Sequence, residues 1–362
     1  MKRKIFLTLC FIMIVASTVY GGDNRVGLTL IPPGTITNKV DLDIRAGIVN
    51  QGTEQQDFKI SIYLNNVEQQ SLLHYSTITL PIGASHSIKY VLNTTDKVGN
   101  NRIILRVEDG KQSYEVTKKF EVIESDIRST RLIDGAWAGI YHWSEIEGKH
   151  WNADIKQMTD AQWHEMVRSM HNIGMDVIVI QEVFRNQEYV GQHKMNVDNY
   201  PGKAFYPSEL YPDRVPIMAH DPLEAILSEA DKLGMLVMMG VGMFAWFDFS
   251  AESLEWHKQV AKELWNKYGS HPSFYSFYIS EECAGNLYNS EQTYEMQLVR
   301  KKEICDFFRE FKKYIKKFAP EKPIMLATNS MGVLDGAMHI PLYCRILIFY
   351  VRLALHVCPK EI

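Results

Sequence analysis

The residues best suited to chemistry are Glu281 and Glu282, which close the run Phe274-Tyr275-Ser276-Phe277-Tyr278-Ile279-Ser280. Burying an unpaired carboxylate is strongly unfavourable, so two of them ending an aromatic strand predict a solvated cleft at that end. A carboxyl there, its pKa raised by apolar neighbours, can protonate a leaving oxygen, as the acid/base of a glycosidase does. Adjacent strand residues point to opposite sides, so one of the pair is expected to face the cleft. The bland alternative is a solvated loop start or a salt bridge to a neighbouring loop. Other polar and aromatic residues fall at comparable places. Gln181 and Glu182 follow the apolar run 175–180, with Glu182 either a second carboxylate or an ion-pair partner for Arg185. Trp246, Phe247 and Asp248 follow the run 235–244, where a flat ring beside a carboxylate suits a sugar and its hydroxyls. Tyr141, His142 and Trp143 end an earlier run, Asn329 closes a later one, and Tyr278 shares the strand of the glutamate pair. His142 and His271 have no partner at metal-ligand spacing, so no metal site is expected.

Alternating strands and helices must position these residues. Thr159-Asp160-Ala161-Gln162 has capping-box spacing, and Trp163, Met166, Val167, Met170 and Ile173 then recur at helical intervals up to Gly174, before the strand 175–184. The unit repeats: Asp221 caps a helix carrying Leu223, Ile226, Leu227, Ala230 and Leu233, which stops at Gly234 before the strand 235–244. The two joints, Ile173-Gly174-Met175 and Leu233-Gly234-Met235, are nearly the same. A third helix over 250–268 leads into 274–280, and a charged fourth over 290–318 into 323–328; a first strand near 132–141 makes five strands and four helices. Such alternation predicts a parallel sheet, either doubly wound or closed into a TIM-type (β/α) barrel. The barrel is favoured because the candidate residues fall repeatedly at strand C-termini, where barrels place their sites. A doubly wound nucleotide-binding sheet wants a Gly-rich turn after strand one. Gly135 and Gly139 do not form G-x-G-x-x-G, and no cofactor is expected.

Residues 26–123 follow a different period. Val40-Asp41-Leu42-Asp43-Ile44 and Phe58-Lys59-Ile60-Ser61-Ile62 alternate apolar and polar, and pairs such as Asn65-Asn66 and Asp109-Gly110 punctuate the strands, which predicts an all-β sandwich. No histidine or carboxylate cluster stands out there. Ahead of it, Lys2-Arg3-Lys4, an apolar run over 5–16 and the small residues Ala16, Ser17 and Thr18 read as a secretory signal, too short for a membrane span. An exported protein, periplasmic, cell-surface or secreted, is expected. Across 362 residues the formal charge is -4, which gives no basic face for nucleic acid. Cys283, Cys305, Cys344 and Cys358 have no paired spacing, so neither a disulfide framework nor a zinc site is expected.

The stretch 271–282, with Val177-Ile178-Val179-Ile180-Gln181 and the two Gly-Met joints, resembles a bacterial barrel family, domain of unknown function 4434, regarded as related to glycoside hydrolases. In that family the fourth strand ends in a tyrosine, an aliphatic residue, often a proline, one variable position and a glutamate. Tyr278 and Ile279 fit, Ser280 departs from the proline, and the resemblance matches Glu282 as the glutamate. It covers roughly residues 131–330. The stretch Ile48-Val49-Asn50-Gln51-Gly52, with 58–64 and Leu80-Pro81-Ile82-Gly83, resembles bacterial immunoglobulin-like adhesion modules, which act as spacers or docking faces.

The expected organisation is a signal over 1–22, an immunoglobulin-like sandwich over 23–125, a partial barrel over 130–338 and an atypical apolar tail over 339–362. A full barrel has eight strands and about 250 residues. From His339 the chain is apolar with no acidic residue until Glu361, which reads as the product of a frameshift or premature stop, although a strand sealing the sheet also fits. Two functional readings follow. The first is a glycoside-hydrolase-like protein acting on an oligo- or polysaccharide, with Glu282 as proton donor and Glu281, Glu182 or Asp248 in support. The second is a non-catalytic glycan-binding or surface-scaffold protein, or an inactive truncated product, binding through Trp143 and Trp246.

Overall fold

The computed structural model describes residues 24–126, 134–142, 146–185, 195–211, 213–245, 247–287, 292–328 and 349–352. The expected signal segment therefore lies outside the described residues.

The N-terminal region is β-rich. Its strands are β1 (Asn24–Ile31), β2 (Thr35–Thr37), β3 (Leu42–Asn50), β4 (Gln56–Leu64), β5 (Leu72–Leu80), β6 (Ser85–Leu92), β7 (Gly99–Glu108) and β8 (Ser113–Ile123). They form two sheets, one ordered β1-β3-β6 and the other β2-β8-β7-β4-β5. The alternation seen in the sequence is the inward face: Leu42, Ile44 and Ala46 of one sheet meet Phe58, Ile60, Ile62, Ile103, Leu105 and Val107 of the other, all fully buried. Each such side chain contributes about 1.5–3 kcal/mol on leaving water.

The second region alternates strands with helices as expected. It runs β9 (Gly135–Ala138), α1 (Asn152–Gln157), α2 (Asp160–Asn172), β10 (Val177–Ile180), β11 (Phe184–Arg185), β12 (Lys203–Ala204), α3 (Pro222–Leu233), β13 (Leu236–Gly240), α4 (Ala251–Tyr268), β14 (Phe274–Cys283), α5 (Tyr294–Ile315), β15 (Ile324–Thr328) and β16 (Phe349–Arg352). Local chemistry sets the helix ends. Thr159 and Gln162 form the reciprocal capping box of α2, Asp221 accepts the amides of Leu223 and Glu224 to start α3, and Gly234 in the left-handed region ends it.

The main sheet is ordered β16-β15-β14-β13-β10-β9, and every pair in it is parallel. The order never reverses, so right-handed crossovers put all the helices on one face. That face carries the large core, from Ile178, Ile180, Val237 and Met239 to Phe274, Phe277 and Ile279. The opposite face carries a smaller cluster of Val179, Met238, Tyr275, Tyr278, Met325 and Ala327. Among the described residues β9 and β16 are edges, and the sheet does not close into a barrel. It does curl. Trp137 on β9 meets Tyr278 on β14 edge to face, ring centroids 6.4 Å apart, although three strand spacings in a flat sheet measure roughly 14 Å. From the apolar tail, Phe349–Arg352 pairs with β15 as a sixth strand; the rest of 339–362 lies outside the described residues.

The two regions are joined by specific contacts. Ile31 enters the small cluster beside Tyr275, and the Tyr275 hydroxyl donates to the Leu30 carbonyl at 2.8 Å. Ser85 Oγ donates to the Lys316 carbonyl at 2.5 Å, and Arg25 pairs with Glu321. Among the described residues no helix is long and apolar enough to cross a membrane.

Candidate functional site

Because the sheet is parallel, the C-terminal ends of its strands lie along one edge, and the segments that follow them pack over that edge. After β13 the chain turns through residues 241–248, tied down at several points. The Gly242 amide donates to Ser280 Oγ at 3.2 Å, and that hydroxyl donates to the Gln181 carbonyl at 2.5 Å, bridging the ends of β10, β13 and β14. The Tyr200 hydroxyl donates to the Met243 carbonyl at 2.8 Å. The Phe244 amide donates to Glu281 Oε1 at 2.9 Å. Arg300 Nη2 on α5 donates to the Phe247 carbonyl. Phe247 has φ 60, a left-handed conformation that costs a non-glycine residue about 1–2 kcal/mol and has to be held by its surroundings.

Glu281 is fully buried. Burial pushes its carboxyl well above the usual range and the Asp248 charge adds to the rise, while the backbone of Phe244, Ala245 and Phe247 pulls the other way. Its Oε2 has no hydrogen-bond partner among the described residues. Glu182 is buried at 3% exposure. Tyr200 lies within the field of both carboxylates: burial, then Glu182 and Glu281, raise its phenol well above the ordinary value. Its ring packs on Phe244 and Trp256, 5.7 and 4.8 Å between centroids. Asp248, 4% exposed, accepts the Ser250 amide at 2.8 Å and, through its carbonyl, the Ser253 hydroxyl at 2.7 Å, which fixes the start of α4. His257, one turn further on, is fully buried. Burial pushes its imidazole down to about 4 against the pull of the Ser253 carbonyl and the Asp248 charge, so it is neutral and donates from Nδ1 to Ser253 at 2.7 Å.

The structure thus brings Glu281, Glu182 and Asp248 to one end of the sheet and buries all three. Glu282 lies one residue before the end of β14 and its backbone is described, but its side chain is outside the described residues. Gln181 is exposed at the end of β10. Tyr278, 6% exposed, belongs to the small buried cluster, where the partly exposed Trp137 meets it edge to face. Tyr141, by contrast, is 2% exposed, packed on Phe205 with Lys156 Nζ 5.1 Å above its ring, a core position rather than a cleft surface. Trp143, Trp246 and Asn329 lie outside the described residues. Sequence reasoning missed Trp137, Tyr200, Ser280 and Arg300. A tryptophan between alanines in a short strand signals the first; the others act through partners more than 35 residues away, which no local pattern announces.

A family model described as Domain of unknown function (DUF4434) matches residues 133–347, more than half of the chain. The protein is a member of the DUF4434 family. The DUF4434 match begins just ahead of β9 and covers the parallel sheet through β15, leaving the β-rich region outside it. No curated protein matches the chain. Solved structures similar to it include a Bacteroides uniformis beta-glucuronidase 2 covalently bound to cyclophellitol-6-carboxylate aziridine, at 11% identity and TM-score 0.38 over 90% of this chain and 35% of that one. A Parabacteroides merdae beta-glucuronidase gives 13% identity and TM-score 0.34 over 90% and 35%. A putative beta-galactosidase from Bacteroides fragilis gives 10% and 0.31 over 84% and 39%. The chain spans little more than a third of the length of these proteins.

Proposed function

We propose that this DUF4434 protein is exported and acts on an oligo- or polysaccharide held beside Trp137 on a partial (β/α) barrel, with Glu282 as the proton donor. The observation that carries the reading is Trp137, 37% exposed on β9, at the same end of the sheet as Glu281, Glu182 and Asp248. A partly exposed indole offers the flat apolar surface that a sugar's C–H face needs, and the three buried carboxyls do not themselves meet the sugar. Glu281 is engaged by the Phe244 amide, so the role of proton donor is assigned to Glu282, the family-matched glutamate beside it. Export rests on the basic and apolar pattern of residues 2–18. The immunoglobulin-like region serves as a rigid support rather than a catalytic unit.

The test is turnover of a panel of aryl glycosides by wild type and Glu282→Gln. Turnover in wild type and its loss in the variant, with a melting temperature within a few degrees, supports the assignment. Equal turnover in both refutes it.

A second reading, glycan binding without catalysis, is favoured by one specific observation. All three described carboxylates at this end are buried, so none of them faces solvent as the partner that glycoside hydrolysis requires about 5–10 Å from the proton donor. Glycan binding by wild type without turnover of any glycoside decides for it.

A further inference from the structure

We propose that Glu281 is a positioning residue, which fixes the backbone of Phe244, Ala245 and Phe247 over the strand ends rather than meeting a ligand. The inference deepens the glycan-site reading and rests on it for the role of Glu282, but the positioning claim stands on geometry that is independent of any activity.

Two adjacent glutamates look equivalent in the sequence, and the structure gives one of them, Glu281, a defined place. Glu281 has no solvent exposure, and its Oε1 accepts the Phe244 amide at 2.9 Å. The backbone of Ala245 and Phe247 also acts on it, so one carboxyl serves three residues of the loop. Phe247 stands at φ 60, a conformation that costs a non-glycine residue and has to be held by its surroundings. The fixing contacts come from three elements: Glu281 from β14, Arg300 Nη2 from α5 on the Phe247 carbonyl, and Tyr200 from the 195–211 segment on the Met243 carbonyl. The loop continues directly into Asp248, whose side chain and carbonyl start α4. Displacing Phe244 and Phe247 would therefore displace the rim of the candidate cleft together with the helix start.

The surroundings also make Glu281 a poor proton donor to a ligand. Asp248, Glu182 and the neutral His257 and Tyr200 share its neighbourhood, and Arg300 is engaged with the Phe247 carbonyl. A carboxyl that must lose its proton at each turnover would become a second anion beside Asp248, in a site with no water contact. The contact of Glu281 is with the loop backbone, as a hydrogen-bonding post for the Phe244 amide.

The experiment compares Glu281→Gln, Glu281→Leu and Glu282→Gln in the full chain, by hydrogen exchange of the 241–248 amides and by aryl glycoside turnover. Gln keeps an acceptor for the Phe244 amide, so exchange and turnover are expected to stay within about threefold of wild type. Leu fills the space but orphans that amide, and exchange over 241–248 is expected to rise about tenfold or more, with KM rising more than kcat falls. Glu282→Gln is expected to leave exchange unchanged and remove turnover. Unchanged exchange in Glu281→Leu overturns the proposal, as does loss of turnover in Glu281→Gln with exchange intact, because Glu281 would then itself transfer the proton. If Glu281→Leu does not fold, Glu281→Ala decides: a rise in its loop exchange supports the positioning role, and wild-type exchange overturns it. If wild type turns over no glycoside, the catalytic reading fails and the exchange arm still settles the positioning claim.

Discussion

Arg25 and Glu321, 296 residues apart in sequence, form an ion pair that joins the first strand of the sandwich to the turn before β15. Arg25 Nη1 donates to the Phe318 carbonyl at 2.9 Å and to Glu321 Oε2 at 3.2 Å, and the guanidinium lies 4.6 Å over the Trp265 ring. Glu321 is 2% exposed; burial pushes its carboxyl up, and the charges of Arg25 and Lys322 more than offset this, leaving it ionised. Removing one partner of a buried pair leaves an uncompensated charge, at a cost of about 3–5 kcal/mol. Arg25→Met is expected to destabilise by about 3 kcal/mol, the lower end, because Arg25 keeps some solvent contact. Urea denaturation checks this, and a loss under about 1 kcal/mol would show the pair to be incidental.

Packing around the same carboxylate gives a second expectation. A Cβ on Gly47 would lie 2.7 Å from Glu321 Oε2 and 2.8 Å from its backbone nitrogen, and one on Gly27 would lie 2.5 Å from Glu321 Cδ. The side chain is wedged between two strands with no room to withdraw. Gly47→Ala is expected to cost about 1–3 kcal/mol, as overpacking does, and to be strongly non-additive with Arg25→Met because both act on Glu321. A double-mutant cycle by thermal denaturation reads the coupling, and simple additivity would contradict the wedge.

The pair and the glycines also mark what local sequence can announce. Thr159, Gln162, Asp221 and Gly234 act on neighbours within a turn, so the ends of α2 and α3 are readable directly. The alternation of 58–64 reports its inward face for the same reason. The curl of the sheet depends on how four strands lie together, and only the Trp137–Tyr278 contact reveals it. The glutamate pair is legible as a pair, but the burial of Glu281 involves the Phe244 amide, 37 residues away. Tyr141 was expected at a cleft because it ends a strand; Phe205 and Lys156, which cover it, come from segments with no strand signal of their own.

A pH dependence follows from His271, which leads into β14. Its Nδ1 lies 2.7 Å from Asp231 and its Nε2 3.0 Å from Glu224. Burial lowers its pKa, but the two carboxylates outweigh this and the net shift is upward. A raised folded-state pKa contributes stability that is fully present below the unfolded value near 6.5 and is lost as pH rises through the folded value. Wild type is therefore expected to lose stability with rising pH from about 6.5, and His271→Gln to lose less over the same interval. Urea midpoints taken at intervals between about pH 6 and 9 test this, and identical slopes for the two proteins would refute it.

Trp137 supplies the last test, because it is a partly exposed aromatic at the strand ends. It is 37% exposed on β9, yet its edge contact with Tyr278 holds the ring in place. An aromatic ring fixed before a ligand arrives loses little freedom on binding, so its stacking contribution is nearly fully realised. Aromatic stacking of this kind is worth about 0.5–1.5 kcal/mol beyond area burial, and the burial of the ring against a sugar face adds to it. Trp137→Ala is expected to weaken glycan binding about tenfold or more. The strand position is partly exposed, so the melting temperature should fall by only a few degrees. Phe in place of Trp keeps a flat ring and should recover most of the affinity. Calorimetric titration with whichever glycan wild type binds makes the comparison. Undiminished affinity in Trp137→Ala would move the ligand away from Trp137. A collapse in stability instead would assign Trp137 to the packing that covers the inner side of the sheet.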